Sequence, residues 1–160
     1  MILGVEGLVT EVRTYLKNNL GPIFVEVDSR YPAKIGLEPV KDWRIDDPVN
    51  GQLPNLLPCG WVISGNMIVP QWNATGQLVE SDLVVWILFS DSDASRLRQR
   101  TYRSTLAIWE CLKKGHYDGS IRWVIIGDPE MDFSEVIAGG ESQLFADCRV
   151  RVRVTIQELS

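Results

Sequence analysis

Cys148-Arg149-Val150-Arg151-Val152-Arg153-Val154-Thr155-Ile156-Gln157 is the stretch that decides the fold. Cys148, Val150, Val152, Val154 and Ile156 alternate with Arg149, Arg151, Arg153, Thr155 and Gln157. A strict period of two is a β-strand, because successive side chains point to opposite faces. This strand has one apolar face and one cationic face. Upstream, Leu78-Val79 and then Asp82 to Phe89 predict a long strand, whose nearly continuous apolar run suggests a central position covered on both faces. Ile121 to Ile126 predicts another strand, ended by Gly127-Asp128-Pro129. Residues 128–142 look loop-like, with Gly139-Gly140 as a flexible point. Trp61-Val62-Ile63 and Met67-Ile68-Val69 predict two short strands around a turn at Ser64-Gly65-Asn66, and residues 71–76 predict a second turn.

Between these strands the period changes. Ser92 or Asp93 can cap a helix that runs to about Lys114 and ends at Gly115. Its second half carries Leu106, Ile108, Trp109 and Leu112 as a wide apolar face. Its first half carries Arg96, Arg98, Arg100 and Arg103, of which Arg96, Arg100 and Arg103 share one face. Near the start, Val5, Leu8, Val9, Val12 and Leu16 form a helical stripe that Gly21-Pro22 is expected to stop. Ile23, Val25 and Val27 then alternate, predicting a strand over 23–28. Residues 29–58 hold Pro32, Pro39, Pro48, Pro54 and Pro58 with acids Asp42, Asp46 and Asp47. No period survives there, so a long irregular insertion at about 29–60 is expected, with Trp43 and the Leu53 to Leu57 stretch packing it down.

The chain has 160 residues, 45% hydrophobic and 23% charged, which suits one globular domain spanning 1–160 and excludes a disordered chain or a coiled coil. The net charge of −5 argues against a general nucleic-acid-binding coat. Cys59, Cys111 and Cys148 are widely spaced and form no CxxC pair, which fits reduced thiols rather than a zinc knuckle. Met1 to Thr10 lacks the basic and apolar segments of a signal peptide, and the longest apolar run, Leu83 to Phe89, is far short of the ~20 residues of a membrane span.

Motifs for bond chemistry are scarce. His116 is the single histidine, placed just past the expected helix end, so histidine-based nucleophilic or metal sites have one imidazole to work with. No GxSxG elbow, GxGxxG loop or Walker-type loop occurs. Asp91-Ser92-Asp93, after an apolar strand, resembles the DxD site of haloacid-dehalogenase-type phosphatases, and a Mg²⁺-dependent phosphohydrolase using Asp91 and Asp93 is the alternative of a different class. That fold needs several more strands and further acidic and Lys motifs than the 67 residues after Asp93 provide; a helix N-cap is the simpler account.

The arginines carry more weight. Arg149, Arg151 and Arg153 on one strand face repel one another unless paired or wet. They form either a solvated face that blocks aggregation or a subunit interface, where the acids Asp42, Asp46 and Asp47 could supply partners. The helix arginines Arg96, Arg100 and Arg103 admit the same readings and a DNA-facing one. Of the six tryptophans, Trp86, Trp109 and Trp123 sit on predicted elements, whereas Trp43 and Trp72 lie in loops; Trp43 is a candidate interface anchor.

The order of elements, with Asp82-Leu83-Val84-Val85-Trp86-Ile87-Leu88-Phe89, the Arg-rich helix from Arg96 to Leu112 and Ile121-Arg122-Trp123, resembles the tail terminator (tail completion, head–tail joining) proteins of tailed bacteriophages, outside about residues 29–60. The resemblance implies an α+β fold: a mostly antiparallel β-sheet with two helices packed on it. It implies a structural virion protein and not an enzyme, with no cofactor and no metal, assembled in the host cytoplasm. Such proteins form a homo-oligomeric ring, usually a hexamer, at the head-proximal end of the tail tube. There the ring ends tube polymerisation and offers a surface to the head–tail connector or stopper protein. Its implied partners are its own copies, the tail tube protein, that connector and, for a contractile tail, the sheath. DNA passes through the lumen without sequence-specific binding, and no membrane is involved. Another neck protein is the alternative within the same setting.

Overall fold

The structure is a computed structural model that describes residues 5–45, 54–73, 76–118, 123–140 and 142–158. Its elements are α1 (Val5–Ser29), β1 (Asp42–Arg44), β2 (Cys59–Asn73), β3 (Gly76–Asp91), α2 (Ala94–Asp118), β4 (Trp123–Phe133), β5 (Ile137–Ala138) and β6 (Leu144–Glu158). The strands form a single sheet in the order β1-β2-β3-β6-β4, with β5 pairing β6 beside β4. Pairing is antiparallel except for β1, which runs parallel to the start of β2. The fold is therefore α+β, as expected.

The last strand behaves as its alternation requires. Cys148, Val150, Val152 and Val154 face inward and are buried, while Arg149, Arg151 and Arg153 are exposed on the other face. On β3 the inward residues Leu83, Val85, Ile87 and Phe89 are equally buried. Their alternates Val84, Trp86 and Leu88 are only half-buried, which corrects the expectation that β3 is covered on both faces. Both helices lie on the same side: α1 over β2, and α2 over β3, β6 and β4. The opposite side carries no helix among the described residues. A near-continuous apolar strand thus reflects a half-covered outer face and not a second layer.

Four boundaries differ from the sequence expectation. The strand expected over 23–28 is the last part of α1, which runs through Gly21-Pro22. Ile23, Phe24 and Val27 are buried at helical spacing, whereas Val25 is 68% exposed. Each buried apolar side chain contributes about 1.5–3 kcal/mol. An interior proline costs about 3 kcal/mol, so three such residues outweigh Pro22. Gly115 does not end α2, which continues to Asp118 and so includes His116. A Cβ on Gly115 would lie 2.7 Å from Tyr15 Cζ, so the glycine instead admits the Tyr15 ring of α1 against α2. The Tyr15 hydroxyl then donates to the Cys111 carbonyl at 3.0 Å.

The other two differences lie in the sheet. The turn expected at Ser64-Gly65-Asn66 is a register shift within one continuous strand, β2. Likewise Gly127-Asp128-Pro129 interrupts the register of β4 without ending it, and β4 resumes at Glu130 inside the segment expected to be loop. Gly127 takes a positive φ of 73°, which bulges of this kind favour. A bulge and a turn share the same glycine and polar residues, so composition does not separate them. Among its described residues the irregular insertion is interrupted by β1, where Trp43 lies across Gly60 of β2; a Cβ on Gly60 would lie 2.7 Å from that ring.

Candidate subunit interface

The outer sheet face is built in rungs by the strand register. One rung runs Trp61, Trp86, Arg149, Asp132 across β2, β3, β6 and β4. The next runs Ile63, Val84, Arg151, Glu130, and beyond it Asp82, Arg153 and Ile126 align. The face therefore grades from aromatic and aliphatic on β2 and β3 to cationic on β6 and acidic on β4. Trp61 and Trp86 stand 5.4 Å apart between ring centroids, and the Arg149 guanidinium lies 4.3 Å above the Trp86 ring. That stack combines a cation–π contact with apolar cover of the sheet.

The mutual repulsion of the three arginines is partly relieved within the chain. Arg149 pairs with Asp147 at 3.4 Å, and Arg153 with Asp82 at 3.4 Å. Exposed pairs of this length contribute at most about 1 kcal/mol. The Arg151 side chain makes no ion pair or hydrogen bond among the described residues. It lines an open depression of about 370 Å³ with Asp82, Ile126, Gly127, Asp128, Glu130 and Arg153.

Asp42 and Trp43 sit on β1, at the opposite edge of the sheet. Asp42 aligns with Cys59, on the outer side, while Trp43 turns inward against the core. The inward packing of Trp43 fixes the insertion to the sheet. Asp46 and Asp47, the other acids expected at an interface, lie outside the described residues.

The helix arginines have intramolecular partners that sequence reading missed. Arg103 is buried and donates to Asp28 at 2.7 Å and to the Ala33 carbonyl at 2.8 Å, with its guanidinium 4.1 Å over the Tyr31 ring. Asp28 also accepts from the amides of Ile35 at 3.3 Å and Gly36 at 3.0 Å. Burial alone would raise the Asp28 pKa; the Arg103 hydrogen bond and these amides outweigh it and bring it below the ordinary value. Arg96 and Arg100 converge on Asp91 at the end of β3, through Arg96 Nε at 2.7 Å and Arg100 Nε at 3.0 Å. Together with the Asp93 amide they hold the Asp91 carboxyl well below the usual carboxylate range, Arg96 contributing most, although burial opposes them. The shared face of Arg96, Arg100 and Arg103 was legible at helical spacing. Their acceptors lie on other elements, and Asp28 is distant in sequence.

The same geometry bears on the phosphohydrolase alternative. Asp91 has two guanidinium partners and is 4% exposed, so its oxygens are engaged where a metal-binding nucleophile needs them open. Asp93 caps α2, its Oδ1 accepting from the Arg96 amide at 2.8 Å. Among the described residues no group of three His, Cys, Asp or Glu side chains converges to hold a metal ion. All three cysteines are buried thiols, and burial, helped by Asp147, pushes the Cys148 thiol far above its ordinary pKa. No helix among the described residues is long and apolar enough to cross a membrane.

No family model matches the chain, and no curated protein matches it. Among solved structures the chain is similar to one in the "Virion of native gene transfer agent (GTA) particle", at 14% sequence identity over 88% of this chain and 94% of that one, with a TM-score of 0.33.

Proposed function

We propose that this protein is a structural virion component, a tail terminator that closes into a homo-oligomeric ring, six-membered in the manner of that family, on the head-proximal end of a tail tube. The observation that carries the proposal is the outer sheet face, which no helix covers among the described residues and which exposes a row of arginines on β6. Its cationic row on β6 and Asp42 on β1 are separated by β2 and β3. A closed ring requires two unlike patches on each subunit, placed so that one copy's first patch meets the next copy's second. Arginine and tryptophan on one face are the residue types that anchor such contacts. The ring would stop tube growth and present its free side to a connector or stopper protein, with the insertion available to a sheath. In this role the chain makes and breaks no bond.

Light scattering after size exclusion, with negative-stain imaging, tests the reading. A ring-sized oligomer is expected; a strict monomer at high concentration, with or without tail tubes, overturns it. Changing Arg149, Arg151 and Arg153 together to Glu is expected to abolish the oligomer while circular dichroism stays native. Unchanged assembly removes the β6 face from the interface.

A further inference from the structure

The arginines of β6 are not equivalent. Arg149 is held by Asp147 and the Trp86 ring, and Arg153 by Asp82. Arg151, between them, is exposed and has no ion pair among the described residues, although Glu130 is its register partner on β4. It opens into the depression whose rim also holds Asp82, Asp128 and Glu130. A second unpaired charge lies on the same face. Asp42 aligns with Cys59 on the outer side of β1 and likewise makes no ion pair among the described residues, while the adjacent Lys41 reaches Glu38 at 3.9 Å.

These two charges do not meet within one chain. β1 and β6 are separated by β2 and β3, and three interstrand spacings of about 4.8 Å put them roughly 14 Å apart. An ion pair needs about 4 Å. A second copy can bring them together. We infer that the subunit contact is made by Asp42 of one copy, entering the depression beside Arg151 of the next. This rests on the ring reading above and names its ionic contact.

In a ring the contact is heterologous: each copy gives Asp42 to one neighbour and Arg151 to the other, and such a contact repeats around the circle. Guanidinium and carboxylate match in planar geometry, so the pair fixes orientation as well as charge. β1 carries Arg44 on the same face two residues after Asp42. A polyanion would bring only negative charge to Asp82, Asp128 and Glu130, which disfavours nucleic acid as the occupant.

Charge exchange in the full chain tests the inference. Arg151→Gln and Asp42→Asn are each expected to move the assembly midpoint to at least about tenfold higher concentration. Arg153→Gln, whose partner Asp82 lies in the same chain, should move it much less. Arg151→Asp and Asp42→Arg should each leave monomer, and the double exchange should restore the ring. Circular dichroism and thermal melts confirm that each variant is folded. A wild-type chain that never oligomerises overturns the ring reading itself. A wild-type ring that persists in Arg151→Gln, or that the double exchange fails to restore, overturns this pair and leaves the ring standing.

Discussion

Arg103 of α2 donates to Asp28 of α1 at 2.7 Å, with the two side chains only 6% and 8% exposed. The pair joins the C-terminal end of α1 to the middle of α2, and the Ile35 and Gly36 amides bring the start of the insertion to the same carboxylate. One acid thus organises two helices and the loop between α1 and β1. The outer face at β1 is placed partly by this anchor, since the chain reaches β1 only a few residues after Gly36.

Arg103→Met is expected to destabilise the fold by about 3 kcal/mol, because it leaves a buried carboxylate without its cation. Replacing both partners, with Asp28→Leu, should cost less than the sum of the two single changes. Urea unfolding followed by circular dichroism measures both, and additive losses would show that the pair is not coupled.

Acid should unfold the protein through the same carboxylates. Asp28 and Asp91 are both lowered below the ordinary aspartate value. A lowered folded-state pKa contributes stability that is present above the unfolded value of about 3.9 and is lost as pH falls through the folded value. The urea midpoint should therefore fall steeply below about pH 4, and the fall should be shallower in Asp28→Asn and Asp91→Asn. A midpoint insensitive to pH in that range would contradict both assignments.

What was legible in the chain depended on whether one pattern stood alone. Arg149, Arg151 and Arg153 alternate with buried valines, and no helical reading competes, so β6 was plain. At Ile23 to Val27 two patterns coexist: Ile23, Val25 and Val27 suit a strand, and Ile23, Phe24 and Val27 suit a helix. Packing decides, by burying Phe24 and exposing Val25, and Gly21-Pro22 pointed the wrong way. The face shared by Arg96, Arg100 and Arg103 was legible too, but its partners were not. Asp28 and Asp91 reach it only through the tertiary arrangement of α1 and β3. The non-equivalence of Arg149, Arg151 and Arg153 was equally hidden, because it arises from the register of β3 and β4 against β6.

Gly115 supplies a test of the helix contact. Glycine to alanine inside a helix ordinarily stabilises by about 0.5–1 kcal/mol. Here the new Cβ would lie 2.7 Å from the Tyr15 ring, and that ring is pinned by its hydroxyl's hydrogen bond to Cys111. Gly115→Ala is therefore expected to destabilise, by about 1–3 kcal/mol. Adding Tyr15→Leu should recover part of the loss, and denaturant unfolding reads both. A stabilised single variant would mean that α1 and α2 do not approach so closely there.

Asp91 and Asp93 separate the structural account from the enzymatic one most directly. Asp93→Ala removes the side-chain acceptor for the Arg96 amide and should cost about 1 kcal/mol, whereas Asp93→Asn, which still caps, should cost little. Asp91 is not the cap, and its loss acts differently: Asp91→Asn takes the charge from a site that Arg96 and Arg100 both face. A cost of about 1–3 kcal/mol is expected there, since hydrogen bonds to charged groups are the stronger ones. A phosphohydrolase would show the reverse dependence. Its Asp91→Asn and Asp93→Asn variants would keep their fold and lose a Mg²⁺-dependent release of phosphate, because the nucleophile and the acid–base group, not the guanidinium clamp, would be what the reaction needs. Urea unfolding and a phosphate-release assay on the same three variants decide between them.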